Sequence, residues 1–134
     1  MLARYQIYRG KRPDADPLPE GVRQDTRHRC SKHPLHPTKD IVTAYLEAPT
    51  DPAWNAFRRK YLALLAKRFR EDHGPFDGLA ALATDRDVFI GCSCPTKKNP
   101  RLDRCHTVLA LGFMKEKYPT LRVEFPAGVT PAPT

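Results

Sequence analysis

Cys92, Cys94, Cys105 and His106 are the residues of this chain whose types and spacing could do chemistry. They read as Cys92-x-Cys94, a ten-residue gap, then the adjacent pair Cys105-His106. Thiolate and imidazole are sound zinc ligands, and four such groups can close a tetrahedral site. A zinc ribbon, however, uses two separated C-x-x-C pairs. Neighbours on a helix also point about 100° apart, so Cys105 and His106 do not readily face one ion. A metal is therefore not the favoured reading. Cys105 falls where a helix should begin, among Lys97, Lys98, Arg101 and Arg104. Backbone N–H groups, the helix dipole and nearby cations all favour a thiolate there. His106 beside it is placed to act as general acid or base. Cys105 and His106 are thus the candidate catalytic pair. The plainer alternative is that Cys92 and Cys105 are small buried residues, a common fate of cysteine.

Two basic clusters could hold an anion. Lys97, Lys98, Arg101 and Arg104 lie in the loop before Cys105, and Arg23, Arg27 and Arg29 lie early in the chain. Arginine grips phosphate through two parallel hydrogen bonds. In an open α/β sheet, ligands sit beyond the carboxyl ends of the strands. Both clusters face one cleft if both follow such ends. The early cluster also holds Lys32, His28, Cys30, His33 and His36, and the last four are metal-ligand types. A proline-broken loop gives them no fixed geometry.

The elements that must position these groups can be read from pattern. Arg4 to Tyr8 and Val22 to Thr26 have strand-like residues. Thr38 suits the N-cap of a helix reaching Leu46. Asp51-Pro52 opens the next helix, with Asp51 as cap. Trp54, Phe57, Tyr61, Leu64, Leu65 and Arg68 fall on one face of it. Arg58, Arg59, Lys60, Lys67 and Arg70 fall on the other. Gly74-Pro75 closes that helix, with His73 as a capping cation at its end. A short helix follows from Phe76 to Ala83. Val88 to Cys92 is continuously apolar, as a buried strand is. Asp103 is the candidate N-cap of a last helix reaching Lys117, apolar nearly all round from Val108 to Met114. Leu121 to Phe125 reads as a final strand. Strands alternating with helices imply an α/β layer fold with a mostly parallel sheet. We expect one domain over residues 1–126 and a frayed tail over 127–134.

Composition narrows the function classes. The chain has 134 residues and a net charge of +8. That charge points to an anionic partner: a phosphate-bearing ligand, nucleic acid or an acidic protein surface. No apolar run approaches the ~18 residues of a membrane span. The N-terminus lacks the apolar core of a signal peptide, which places the protein in the cytoplasm with reduced thiols. No glycine-rich phosphate loop, Walker motif, G-x-S-x-G or H-E-x-x-H occurs.

Three segments carry a family resemblance. They are "WNAFRRKYLALL", "GLAALA" and "CSCPTKKNPRLDRCHTVLA", in that order. The pattern resembles domain-of-unknown-function family 488 and is similar to the related family 4326, over about residues 20–125. The resemblance implies a small Rossmann-like fold. It also implies a site built from an early arginine-bearing strand and loop, here Arg23 and Arg27, plus Cys92, Cys94, Cys105 and His106. The residue after Cys-His is often arginine in family 488, and here it is Thr107. The gap before Cys105 also carries an extra basic insertion.

Three functions fit these residues. The first is an enzyme or nucleotide-handling domain with a phosphate-binding cleft centred on Cys105-His106. The second is a basic module that binds nucleic acid or a protein. The third is a domain stabilised by zinc.

Overall fold

The computed structural model describes residues 1–129. Its strands are β1 (Leu2–Gln6), β2 (Val22–Asp25) and β3 (Val88–Cys92). Its α-helices are α1 (Lys39–Glu47), α2 (Asp51–Glu71), α3 (Gly74–Asp85) and α4 (His106–Lys117), with a 3-10 turn over Leu102–Arg104. The strands form one sheet in the order β1-β3-β2, parallel throughout. In register, Leu2 and Val22 both lie opposite Val88, and Gln6 lies opposite Cys92. This is an α/β fold, a parallel sheet flanked by helices, as the alternation of elements implies.

The period of two along β3 sends Val88, Ile90 and Cys92 to one face. There Leu2, Val88 and Ile90 join Tyr61 and Leu65 of α2, Phe76 of α3, and Leu111 and Met114 of α4 in one core. Each such side chain stabilises the fold by about 1.5–3 kcal/mol when fully buried. On the opposite face, Gly91 meets Tyr5 and Ile7 of the neighbouring segment. A Cβ at Gly91 would lie 2.7 Å from the Tyr5 ring and 2.8 Å from Ile7.

The α2 helix behaves as its periodicity predicts. Phe57, Tyr61 and Leu65 are buried, while Arg59, Lys60, Lys67 and Arg70 are exposed and Arg58, expected beside them, is half-buried. The Tyr61 hydroxyl donates to the Leu35 carbonyl at 2.6 Å. Arg68, on the same side, donates to the Pro34 and His36 carbonyls at 3.0 and 2.6 Å. The helix thereby fixes the loop leading into α1. The α4 helix is enclosed along most of its length, as its apolar middle predicts.

Several boundaries differ from the sequence reading. The first strand lies two residues earlier, because Leu2 and Ala3 pair with Val88 and Phe89. Thr38 does stand at the N-cap of α1, but its side chain makes no capping bond. The cap of α2 is Thr50, whose extended backbone lets its hydroxyl accept from the Ala53 N–H at 3.2 Å. Asp51 is the first helical residue. Gly74-Pro75 opens α3 rather than closing α2, since proline suits a first turn. His73 therefore stands before α3, its ring bonded to Asp77 at 2.6 Å. Asp103 does not cap α4. The 3-10 turn intervenes and Cys105 takes the N-cap position with extended backbone. The predicted strand over 121–125 reduces to one bridge, Leu2 with Val123, at the outer edge of β1. The expected tail over 127–134 falls largely on residues 130–134, outside the described residues.

Candidate functional site

The site lies at the carboxyl ends of β2 and β3, where α4 begins. The β3 strand delivers Cys92, the turn after it delivers Ser93 and Cys94, and the start of α4 delivers Cys105 and His106. The sulfurs of Cys92, Cys94 and Cys105 all lie within 4.8 Å of one another. Those of Cys92 and Cys94 are 3.8 Å apart. Three such thiols are close enough to hold a metal ion. His106 does not join them. Its Nε2 is 2.9 Å from the Thr26 hydroxyl oxygen.

The direction of that hydrogen bond follows from counting protons. The Thr26 hydroxyl spends its one proton on the Gly91 carbonyl, at 2.9 Å. Toward His106 it can only accept, so Nε2 carries the imidazole N–H. In the neutral ring this leaves Nδ1 as the free acceptor, and Nδ1 is the nitrogen left for the neighbouring Cys105 thiol. Tyr61 packs edge-on against the ring at a centroid distance of 5.8 Å. Thr26 thus orients His106 as a carboxylate would, without adding charge.

Neutral donors and one cation surround the sulfurs. The Thr107 hydroxyl donates to Cys105 Sγ at 3.1 Å and accepts from Arg4 Nε at 3.0 Å. Arg4 also donates to the Cys94 carbonyl at 2.8 Å. Asn99, 4% exposed, donates from Nδ2 to Cys94 Sγ at 3.2 Å and to the Arg104 carbonyl at 2.8 Å. Burial works against the Cys105 thiolate. Hydrogen bonds from Cys92 and Cys94, together with the neighbouring His106, outweigh it and hold this thiol well below its ordinary value. Cys92 and Cys94 are pushed up, chiefly by donating to that same sulfur. Cys105 also stands at the positive end of α4, a position that favours a thiolate.

A cleft of about 240 Å³ opens onto this centre. Val42, Tyr45, Leu46 and Phe57 supply an apolar wall. Arg27, His28, Arg29, Lys98 and Arg104 line it as well, alongside Cys105 and His106. Members of both basic clusters therefore share one cleft. Arg27 is clamped by Asp25 through bonds of 2.7–3.1 Å and reaches Ser93 Oγ at 3.2 Å. Burial opposes the Asp25 charge, but the Arg27 hydrogen bonds outweigh it and keep the carboxyl below the usual range. Arg104 is paired with Asp51 at the start of α2. Arg29 and Lys98 have no carboxylate partner among the described residues.

Other candidates lie elsewhere. Arg23 bonds the Pro19 carbonyl, Arg101 pairs with Asp103, Lys97 is exposed, and none of the three lines the cleft. The His28, Cys30, His33 and His36 group forms no metal cluster among the described residues. His33 spends one nitrogen on Gln24 and the other on the Leu35 N–H. His36 bonds the His33 carbonyl and Arg68. Cys30 lies against Asp25, and burial together with that charge raises its thiol.

A protein-family model described as the active DUF488-N3 subclade, DUF488-N3a, matches residues 14–118. The chain belongs to this family. No curated protein and no solved structure matches it. The DUF488-N3a span contains the three site cysteines, His106, Thr26, Asn99 and Thr107. Arg4, on β1, lies before it. At Thr107, where family 488 often has arginine, this chain places a hydroxyl that the Arg4 guanidinium reaches.

Residue type and spacing do not mark Thr26, Asn99, Thr107 or Arg4 as site residues. The one sequence signal for Thr26 is its position, just past the end of a parallel strand. Asn99 sits in a loop without a pattern, and only the fold brings Arg4 to the thiols.

Proposed function

We propose that this chain binds a small anionic ligand with an apolar body, of the mononucleotide class, and presents it to Cys105 and His106. One observation supports this above the rest: a single small cleft is lined by an apolar wall, by basic side chains and by the Cys-His pair. Arg29 and Lys98 are the cations available to a phosphate. Tyr45 and Phe57 suit a flat apolar body. His106 Nδ1 is the base for the Cys105 proton, and Thr26 holds the ring in the required tautomer. The family's description as the active subclade accords with a site that does chemistry. The cleft's volume suits a small molecule better than a duplex groove-reader's contact surface.

The single tryptophan reports on this binding. Trp54 stacks on Phe57 at 5.2 Å and meets Tyr45 edge-on at 5.5 Å, at the cleft wall. Titration with the four ribonucleoside monophosphates should change its emission, with inorganic phosphate competing weakly. Lys98→Gln and Arg29→Gln should each weaken binding by about tenfold, the loss of one charge-assisted contact. Absence of binding by any mononucleotide would overturn the reading. Binding of long oligonucleotides alone, falling steeply with salt, would replace it with a nucleic-acid module.

A further inference from the structure

We propose that Cys92, Cys94 and Cys105 together hold one zinc ion as three thiolates, with its fourth position open to the cleft. Zn–S bonds of 2.3 Å in a tetrahedron put two sulfurs roughly 3.8 Å apart. Cys92 and Cys94 Sγ are 3.8 Å apart. A disulfide would need about 2.05 Å. Cys105 Sγ lies within 4.8 Å of both, a spacing that a small side-chain adjustment brings to zinc distance.

Three independent features around the sulfurs fit thiolates on a cation. The first is donors aimed at sulfur. Asn99 Nδ2 donates to Cys94 Sγ at 3.2 Å and Thr107 Oγ1 donates to Cys105 Sγ at 3.1 Å. Metal-bound ligands are commonly oriented by such hydrogen bonds. The second is charge. Three thiolates on a divalent ion leave a net charge of about −1. Arg4 has no carboxylate partner among the described residues, and it bonds both Thr107 Oγ1 and the Cys94 carbonyl. It supplies the matching +1. The third is an unmatched acceptor. Asn99 Oδ1 is buried and receives no hydrogen bond from any described residue. A water held on the ion brings a donor of the kind it lacks.

Three protein ligands with one open position are the mark of a catalytic zinc rather than a structural one. Here all three cysteines line the cleft. His106 stands outside the ligand set because neither of its ring nitrogens joins the three sulfurs within 4.8 Å of one another. The ion would polarise an oxygen of whatever enters the cleft, or lower the pKa of a bound water. Cys105 then holds the ion instead of attacking, and His106 remains the proton acceptor. The inference leaves the ligand class of the mononucleotide reading unchanged and replaces its role for Cys105, and its test needs no ligand in the cleft.

The test uses the full chain, reduced under inert gas and titrated with zinc against a chromophoric chelator. One equivalent should bind. Cobalt(II) in its place should give a thiolate-to-metal charge-transfer band and the strong visible bands of a four-coordinate site. Cys92→Ser, Cys94→Ser and Cys105→Ser should each abolish those bands. Asn99→Ala, which keeps all three sulfurs, should weaken zinc by about 10–100-fold. Cys30→Ser and His106→Gln should leave the stoichiometry at one. Failure of the reduced wild-type chain to take up zinc would overturn the proposal. So would equal loss on Cys30→Ser, or a mononucleotide site that persists while zinc never binds at the thiols.

Discussion

Thr26 and His106 stand 80 positions apart in the chain and share one 2.9 Å hydrogen bond whose direction the Gly91 carbonyl dictates. A hydroxyl that has given away its proton can only accept. The imidazole is thus locked in the Nε2–H tautomer by a strand-end threonine, and the chain needs no acidic orienter.

Replacing that hydroxyl tests the lock. Thr26→Val keeps the shape but leaves a buried Nε2–H without an acceptor. We expect a loss of about 1–3 kcal/mol in urea unfolding. Thr26→Ser should recover most of it. Nitrogen chemical shifts of the ring should report Nε2–H in wild type and a mixture of tautomers in the valine variant. Unchanged shifts would show that Thr26 does not set the tautomer.

Much of this arrangement is legible in the sequence, and the reason is physical. Val88 to Cys92 is apolar without interruption, so its burial and its place in the sheet can be read directly. Phe57, Tyr61 and Leu65 recur at helical spacing, so α2 is equally plain. Cys105 and His106 stand out because a helix start and reactive side chains coincide. The helix start itself lies later than Asp103 suggests, with Cys105 at the N-cap. Asp103 has the chemistry of a cap but is drawn to Arg101, and the chain makes a 3-10 turn before the helix can begin. The 121–125 segment has strand composition but only one bridge, since composition does not supply a partner edge. Thr107 and Asn99 reach sulfurs two and five residues away, but through a helix start and an irregular loop that no periodic pattern marks, and Arg4 arrives only through the tertiary fold.

Gly91 offers a second test, at the back of the site. An added methyl meets the Tyr5 ring at 2.7 Å and Ile7 at 2.8 Å. Gly91→Ala should therefore destabilise the fold by about 1–3 kcal/mol, as overpacking does. Tyr5→Leu in the same chain should relieve part of that loss. Strict additivity of the two changes in denaturant unfolding would show that the contact is not the cause.

Stability should fall in mildly acidic solution because of His33. Burial, with His36 and His106 nearby, lowers its pKa from 6.5 to about 4. The unfolded chain takes up this proton near pH 6.5, and the folded chain resists it until about pH 4. The unfolded state thus binds more protons within that window, and stability drops as pH falls through it. The contribution is complete above the upper limit and lost below the lower one. Half-buried His36 shifts the same way, mainly through desolvation. His33→Gln should flatten the slope of unfolding free energy against pH, and an unchanged slope would assign it to other groups.

The order β1-β3-β2 also has a consequence in time. The two outer strands do not pair with each other, and each pairs with the central one. Residues 2–6 and 22–25 leave the ribosome first and have no sheet to join until residues 88–92 follow. Sheet formation is thus a late, long-range event, with the slow kinetics such pairing brings. The strand that completes the sheet is the one that ends in Cys92, so the sulfur centre cannot assemble before the sheet has its middle.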